Sequence, residues 1–514
     1  MKIIGRLLKK TVEISHKRSL IKGHGFEHQI NSLKFLLEYA KKTNFGKNHQ
    51  FSDLLLQEDI VKSFQKEVPI VDYDEFFRTW LHRTIDGVHD HTWPGKISYF
   101  ALSSGTTGSP SKRIPVSKEL IKSFQRTSIR QASTLHELNL PPEVYQKTIL
   151  VIGGSPKLEK VQNHIEGDLS GILKKHTSWI VLPFTQPNNK IAEIKDWNKK
   201  IEKLVQNASK WDVAIMTGIP SWCIMLIERI IERYQLNNIH ELWPNFSVYV
   251  HGGVFIQPYL NRLNRSFGKK VHLLDTYLAS EGYFAYQDNT EDSSMKLLLD
   301  NQIFFEFVPF NDEYFTPEGT IRNNYKALTV DEVEKEVDYA LLISTDAGLW
   351  RYLIGDLVQF TDTEKRKIKI TGRIKQYLSL VGEHLSLDNI NHALSSVCKE
   401  MKIEINEFCI TQDILNQRHV WVFGVHQTED TQLNYKEFLD KLDNELCVLN
   451  DDYRSVRKYS LNAPKMLAIS NHYFYQFMDR MGKLGSQNKF PRVMNQHQAS
   501  EWFRFLNENG IVLS

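Results

Sequence analysis

Long hydrophobic runs are missing from this sequence. No uninterrupted apolar segment approaches the ~20 residues that span a bilayer, so no integral membrane association is expected. Cysteine is scarce: the 514 residues hold four, Cys223, Cys398, Cys409 and Cys447, none in C-x-x-C spacing. That excludes a disulfide framework and a thiolate zinc site, and it suits a reducing compartment. A charge excess is also lacking. The net charge is only +3, which argues against a dedicated nucleic-acid binder, whose surface would carry a basic stripe. Repeats and low-complexity tracts are absent. No G-K-[ST] closes a Gly-rich loop and no G-x-S-x-G occurs, so neither a Walker loop nor a hydrolase elbow is supported. His89 and His91 lack further ligands at metal-site spacing. The N-terminal "MKIIGRLLKKTVEISHKRS" is basic. Its apolar run is too short for a signal peptide, and it reads as a solvated helix rather than a membrane-surface segment. The cytoplasm is the expected location.

A chain of this length predicts two or more domains. Residues 1 to about 90 read as helical; "NSLKFLLEYAKKT" has helical apolar spacing, with Asn31 or Ser32 as its cap. Then "ISYFALSS", "KTILVIGG", "WDVAIMTG", "FSVYVHGG" and "KVHLLDTY" form short apolar runs, most ending at Gly, Ser or Thr. They alternate with helical segments such as "PSWCIMLIERIIERYQL". That alternation predicts an α/β fold with a substantially parallel sheet, whose ligands bind at the strands' carboxyl ends. Residues 302–378 read as a β-rich subdomain. Beyond them a smaller α+β part is predicted over 379–514, with Ser386 capping a helix, "HVWVFGVH" as a strand and "NYKEFLDKLDNELCVLN" as a long helix.

Several stretches can carry chemistry, although each alone has a plainer reading as a turn, a core residue or a surface charge. In "YFALSSGTTGSPSKRIPVS", Ser103, Ser104, Gly105, Thr106 and Thr107 offer hydroxyl and backbone donors in a tightly folding loop, an anion nest. Flanking apolar runs predict a hairpin, with Lys112 nearby. In "HGGVF", Gly252 and Gly253 let a flat ligand lie close to the backbone. In "LDTYLASEGYFA", Tyr277 suits stacking on a base, and Glu281 suits a Mg²⁺ on nucleotide phosphate. Asp356, read at a turn between strands, suits a pair of ribose hydroxyls. Arg373 suits a phosphate or ribose, and Lys375 a hinge. "GKLGSQNKFPR" contributes Lys483, Lys489 and Arg492. Trp222 and Met225, three residues apart on one helix, line either an apolar acyl site or a core face.

The order of these pieces resembles the adenylate-forming superfamily. "FALSSGTTGSPSKRIPVS", "YLASEGYFA", "GLWRYLIGDLVQF", "LNDDYRSVR" and "NKFPR" narrow the resemblance. They are similar to the auxin-responsive acyl acid–amino acid amido synthetase family, known from plants, and suggest a bacterial-type member. "VPIVDYDEF", "GDLSGIL" and "TGIPSW" are similar as well, so the likeness runs from about 25 to 500.

The resemblance implies a large N-terminal adenylation domain (1–378) with mixed sheets, followed by a mobile C-terminal domain (379–514). It implies an ATP-dependent ligase that turns a carboxylic acid into an acyl-adenylate, then passes the acyl group to an amine, usually an amino acid, working as a monomer with Mg²⁺. By that likeness Ser103, Ser104, Gly105, Thr106 and Thr107 hold phosphates, with Thr106 also catalytic. Tyr277 packs on adenine beside Gly252 and Gly253, and Glu281 binds Mg²⁺. Asp356 takes the ribose, Arg373 contacts the nucleotide, and Lys489 serves adenylation with Lys483 in reserve. Lys375 is the hinge. The sequence departs once: His384 stands where relatives often carry lysine. Transfer to coenzyme A, and a catalytically silent nucleotide binder, are the alternatives.

Overall fold

The structure is a computed structural model that describes residues 5–6, 9–14, 25–103, 112–177, 181–316, 319–374, 378, 380–381, 383, 385–425, 434–485 and 489–512. Ser104, Gly105, Thr106, Thr107, Lys375 and His384, singled out in the sequence, lie outside these residues.

An eleven-stranded sheet dominates. Its order is Ile303–Pro309, Asp338–Thr345, Tyr352–Asp362, Lys367–Arg373, Met295–Leu297, Gly282–Tyr286, His272–Ala279, Val248–Gly252, Val213–Gly218, Thr148–Ile152 and Thr185–Gln186. The strands from Thr185–Gln186 through His272–Ala279 pair in parallel. From Gly282–Tyr286 onward every pairing is antiparallel. The strand His272–Ala279 therefore joins two kinds of sheet. The β-rich region 302–378 supplies the four strands at one end of this sheet rather than a sheet of its own.

The two halves differ because their connections differ. Parallel neighbours need crossovers, and helices such as Pro220–Tyr234 supply them. That helix starts with proline at its first position, where no backbone donor is needed. It buries Trp222, Cys223, Leu226, Ile227 and Ile230 along one stripe and stops at Gln235 in a left-handed conformation. Antiparallel neighbours need only hairpins. The run "YFALS" joins a separate four-stranded sheet instead of the parallel one. It pairs with Lys112–Val116 as the expected hairpin, Ser103 opposite Lys112, and in parallel with His164–Gly167.

One helix start departs from the sequence reading. The helix Gly25–Ala40 already runs through Asn31 and Ser32, so neither caps it. Ser32 is buried and donates its hydroxyl to the carbonyl of Leu299 at 3.2 Å. A serine satisfied by a turn residue 267 positions away gives no local sign of that bond.

Residues 387–508 build the second, smaller layer. Strands Ile405–Asp413, Arg418–Val425 and Lys465–Ser470 form its sheet. Helix Leu387–Met401 opens with a capping box, Ser386 and Asn389 each bonding the other's backbone. Helix Tyr435–Leu449 follows as predicted. The last helices, His472–Arg480 and Gln496–Glu508, bury Phe474, Phe477, Trp502 and Phe505 in the same apolar cluster as helix Pro220–Tyr234. The small layer is thus docked on the parallel half of the large sheet.

Glu383 fastens the connection into this layer. Its carboxylate accepts the backbone N–H of Leu380 at 2.7 Å and of Val381 at 2.9 Å, and lies 2.7 Å from His419 Nε2. Both side chains of the pair are fully buried. Burial alone would raise the carboxyl; the His419 bond and the two N–H donors outweigh it and hold it at about 2. Because the folded value lies below the ordinary one, this contribution is complete above pH ~4.5 and fades as pH falls toward 2. Glu383→Ala strands a buried imidazole. It is expected to cost about 3 kcal/mol near neutral pH, read as a lowered urea midpoint.

Candidate active site

The carboxyl ends of the parallel strands open into one cleft of about 1980 Å³. That exceeds the ~300–1,000 Å³ of a usual small-molecule site, so a nucleotide and further reactants fit together.

Gly252 ends its strand, and a Cβ there would meet Thr276 Oγ1 at 2.5 Å. Gly253 has φ +84, and a Cβ on it would lie 2.8 Å from Lys489 Nζ. The ammonium of Lys489 donates to the Gly253 carbonyl. Glycine at 253 therefore serves both the backbone conformation and the approach of the lysine. Gly253→Ala is expected to lower adenylation at least about tenfold, since small misplacements of a reacting group cost that or more. Steady-state kcat/KM checks it.

The neighbouring strand places Tyr277. The ring is almost fully buried against Phe284, with centroids 4.9 Å apart. Its hydroxyl donates to Asp356 Oδ2 at 2.7 Å. Burial, then Asp356, pushes this phenol well above its usual range, so it stays a donor. Arg373 Nε donates to Asp356 Oδ1 at 2.7 Å from the directly paired position on the next strand. Asp356 is not at a turn, contrary to the sequence reading. It lies within the continuous strand Tyr352–Asp362, just after Gly355 at φ +91. The register shift that follows, between Leu357 and Val358, breaks the regular alternation where the carboxylate meets the cleft. Each carboxylate oxygen retains a lone pair for a further donor.

Glu281 forms, with Ser280, the two-residue turn between His272–Ala279 and Gly282–Tyr286. It is 6% exposed, yet it lines the cleft. Burial is the main reason its carboxyl rises to about 7; Asp356 adds to the rise, while Lys112 and Arg373 oppose it.

Lys489 keeps one side open to the cleft but is closely ringed by protein atoms. Burial, then the Arg373 charge, pushes its ammonium down to about 8, with Asp356 opposing. It remains a cation at neutral pH. Arg492 fixes the segment that carries it. Arg492 Nη1 lies 2.9 Å from Glu407 Oε2, and Nη2 donates to the Tyr259 hydroxyl at 3.0 Å. Tyr259 belongs to the large layer and Glu407 to the small one, so this buried pair locks the two together beside the lysine.

Ser103 and Lys112, at the mouth of the hairpin, also line the cleft, as does Lys483. Trp222 and Met225 do not line it. Trp222 instead packs on Trp197 and Tyr475, at 5.2 and 6.0 Å between centroids. Helical spacing correctly marked its face as apolar, but that face is covered by core. The apolar cleft wall comes from Ile219, Val254, Ile256 and Phe477. Sequence reasoning also missed the Arg492–Glu407 pair; the nearness of Arg492 to Lys489 in the chain was the available hint.

A mixed sheet with its cleft at the parallel ends, closed by a small α+β layer that inserts a lysine, defines an adenylate-forming ligase fold. The 2-hydroxyisobutyryl-CoA ligase in its postadenylation state superposes with a TM-score of 0.62 at 13% identity, covering 94% of this chain and 91% of that one. The GH3.15 acyl acid amido synthetase superposes at 0.73 with 18% identity, covering 99% and 96%. Family models match in succession: the GH3 family N-terminal domain over 20–160 and 126–272, the central domain over 296–373 and the C-terminal domain over 388–498. The chain belongs to the GH3 family. A jasmonoyl–L-amino acid synthetase of Nicotiana attenuata, JAR4, is 22% identical over 504 residues, covering 84% of this chain and 85% of that protein. The indole-3-acetic acid-amido synthetase GH3.4 of Arabidopsis thaliana is 24% identical over 277 residues, covering 50% and 45%.

Proposed function

We propose that this protein is an ATP-dependent acyl acid amido synthetase. A substrate carboxylate oxygen attacks the α-phosphorus of ATP; the bond to the β-phosphate bridging oxygen breaks, and pyrophosphate leaves. An amine, that of an amino acid, then attacks the acyl carbon. The acyl–phosphate bond breaks, AMP leaves, and the amine loses a proton to give the amide. The observation that carries this is the meeting of Lys489 with Glu281, Asp356 and Arg373 in one cleft.

The roles follow from charge and position. Lys489 neutralises the developing charge where carboxylate and α-phosphate meet. Asp356 accepts the ribose hydroxyls and is held for that by Tyr277 and Arg373. The Gly252–Gly253 backbone leaves room for the adenine beside Tyr277. Ser103 and Lys112 face the phosphates from the hairpin, with Ser104, Gly105, Thr106 and Thr107 assigned to the same task by resemblance.

Among the described residues no group of three or more His, Cys, Asp or Glu is arranged to hold a metal unaided. Glu281 is one carboxylate, and Mg²⁺ commonly takes one or two carboxylates while its other oxygens come from phosphate and water. The residue thus fits an ion that arrives with the nucleotide. Such an ion supplies charge neutralisation on the phosphates.

The same proposal divides the chain at 378/379 and makes the smaller part mobile about Lys375, so that one cleft serves both half-reactions. It treats the protein as a cytoplasmic monomer. It also takes the chain to be a bacterial-type member, on the resemblance of its motifs alone. No helix among the described residues is long and apolar enough to cross a membrane.

The test is a pyrophosphate-release screen of aromatic, fatty and jasmonate-like acids with pooled amino acids. Release that needs both an acid and an amine, with an amide product, supports the proposal. A coenzyme A thioester with no amide from any amine overturns the acceptor assignment, and nucleotide binding without release under any acid overturns the enzyme.

A further inference from the structure

Lys200 serves none of the steps above. It lies on the helix Trp197–Asn207, whose buried face is Trp197, Lys200, Ile201, Leu204 and Val205. One cation thus sits on an apolar stripe. The residue is only 4% exposed, yet it lines the cleft. Its ammonium donates to the Gly153 carbonyl at 3.0 Å and stands 5.9 Å from the Trp197 ring centre. Among the described residues no carboxylate lies within ion-pair distance of it. An ammonium has three donors, and a buried one without a counter-ion is costly. Lys174, which also lines the cleft and donates to the Pro187 carbonyl at 2.7 Å, adds a second positive charge nearby. Burial, then Lys174, pushes the Lys200 ammonium down to about 8, with Asp168 opposing, which still leaves it a cation at neutral pH.

Its place relative to Lys489 is set by the sheet. Ile152 pairs with Gly218, and Thr217 with Val250. Gly153 therefore stands near the height of Gly252, two strands away, or roughly 10 Å at ordinary strand spacing. One ammonium sits on the Gly253 carbonyl and the other on the Gly153 carbonyl, at the same edge of the same sheet. Between them the wall carries Val151, Thr217, Gly218 and Ile219, surface that suits a hydrocarbon spacer.

We propose that the acyl substrate is a dicarboxylic acid, one carboxylate activated at Lys489 and the other held by Lys200 across the cleft. This rests on the proposed reaction, because it takes the carboxylate near Lys489 to be the one adenylated. Lys200 is a specificity residue and touches no reacting atom.

The test measures acid-dependent ATP–pyrophosphate exchange with straight-chain dicarboxylates, hexanedioate to decanedioate, each paired with the monoacid of equal length. The wild-type enzyme is expected to favour at least one dicarboxylate over its monoacid by tenfold or more in kcat/KM. In Lys200→Met that ratio falls at least tenfold, and Lys200→Arg restores part of it. Lys200→Gln, which keeps a donor for Gly153, separates loss of charge from loss of fold and is expected to behave as the methionine variant does. Calorimetric titration of the same dicarboxylates without ATP reads the site independently of turnover. If no acid supports exchange but a dicarboxylate binds the wild type and not K200M, the reaction fails and the anion site stands. If monoacids exchange as well as every dicarboxylate and K200M leaves the ratios and the binding unmoved, the reaction stands and this inference fails. A raised amino-acid KM in K200M with unchanged exchange gives the lysine to the acceptor instead and also overturns it.

Discussion

Lys489→Met is expected to lower acid-dependent ATP–pyrophosphate exchange by about a thousandfold, near the upper end of what one lost electrostatic donor costs. The size of the effect follows from where the ammonium sits. It rests on the Gly253 carbonyl at the carboxyl edge of the sheet, close enough to Arg373 and Asp356 to feel both charges. Arg492, bonded to Tyr259 and paired with Glu407, holds the segment so that the lysine enters already oriented. Preorganisation makes its loss expensive, because water cannot rebuild the same geometry at the moment of attack. Lys483 lines the same cleft, but among the described residues its ammonium donates to no cleft carbonyl. Lys483→Met is therefore expected to cost far less. Equal losses in the two variants would show that the cleft needs positive charge and not this particular lysine.

Glu281→Gln is expected to lower exchange at least about a hundredfold, on the scale of one lost charge-positioning contact, and to raise the stability of the ligand-free protein at pH 8. The two effects share one cause. Burial holds the carboxyl at about 7 in the folded chain, above its ordinary 4.5. A raised carboxyl contributes stability that is complete below the unfolded value and lost as pH rises through the folded one. By pH 8 the carboxylate is ionised in a buried turn, at a cost of about 3 kcal/mol. Glutamine removes that charge and keeps the shape. The urea midpoint of the variant is thus expected above the wild type at pH 8, and the two are expected to converge below pH 5. Mg²⁺ with ATP should raise the wild-type midpoint far more than that of the variant. A variant that is no more stable at pH 8, or that retains full exchange, would remove Glu281 from its role.

Features that depend on local chemistry were legible in the chain. Ser386 caps its helix through bonds to a residue three positions on. The apolar runs around "SSGTTG" form the hairpin they predict. Gly252 and Gly253 end a strand at the cleft, and "NKFPR" delivers its lysine there. What escaped depends on distant partners. Ser32 looks like a cap until Leu299 accepts its hydroxyl. Asp356 looks like a turn residue because Gly355 precedes it, but pairing with the strand Lys367–Arg373 keeps the chain extended there. Trp222 shows an apolar face, and periodicity does not reveal whether a face meets a cavity or Trp197 and Tyr475. Lys200 was legible in principle. It occupies an inward position on an amphipathic helix, where a charge needs a reason, but "DWNKKIEKL" reads as a solvated surface until the apolar stripe is aligned.

Heavy-oxygen transfer from the acid tests the central claim most directly. A carboxylic acid that supports turnover is labelled in both carboxylate oxygens and incubated with enzyme, ATP and the acceptor amine. Mass spectrometry then reads AMP, pyrophosphate and the amide. Attack of the carboxylate on the α-phosphorus leaves one labelled oxygen in AMP and none in pyrophosphate, with the other in the amide carbonyl. Label in inorganic phosphate, with ADP in place of AMP, would mean attack at the terminal phosphate and would contradict the account.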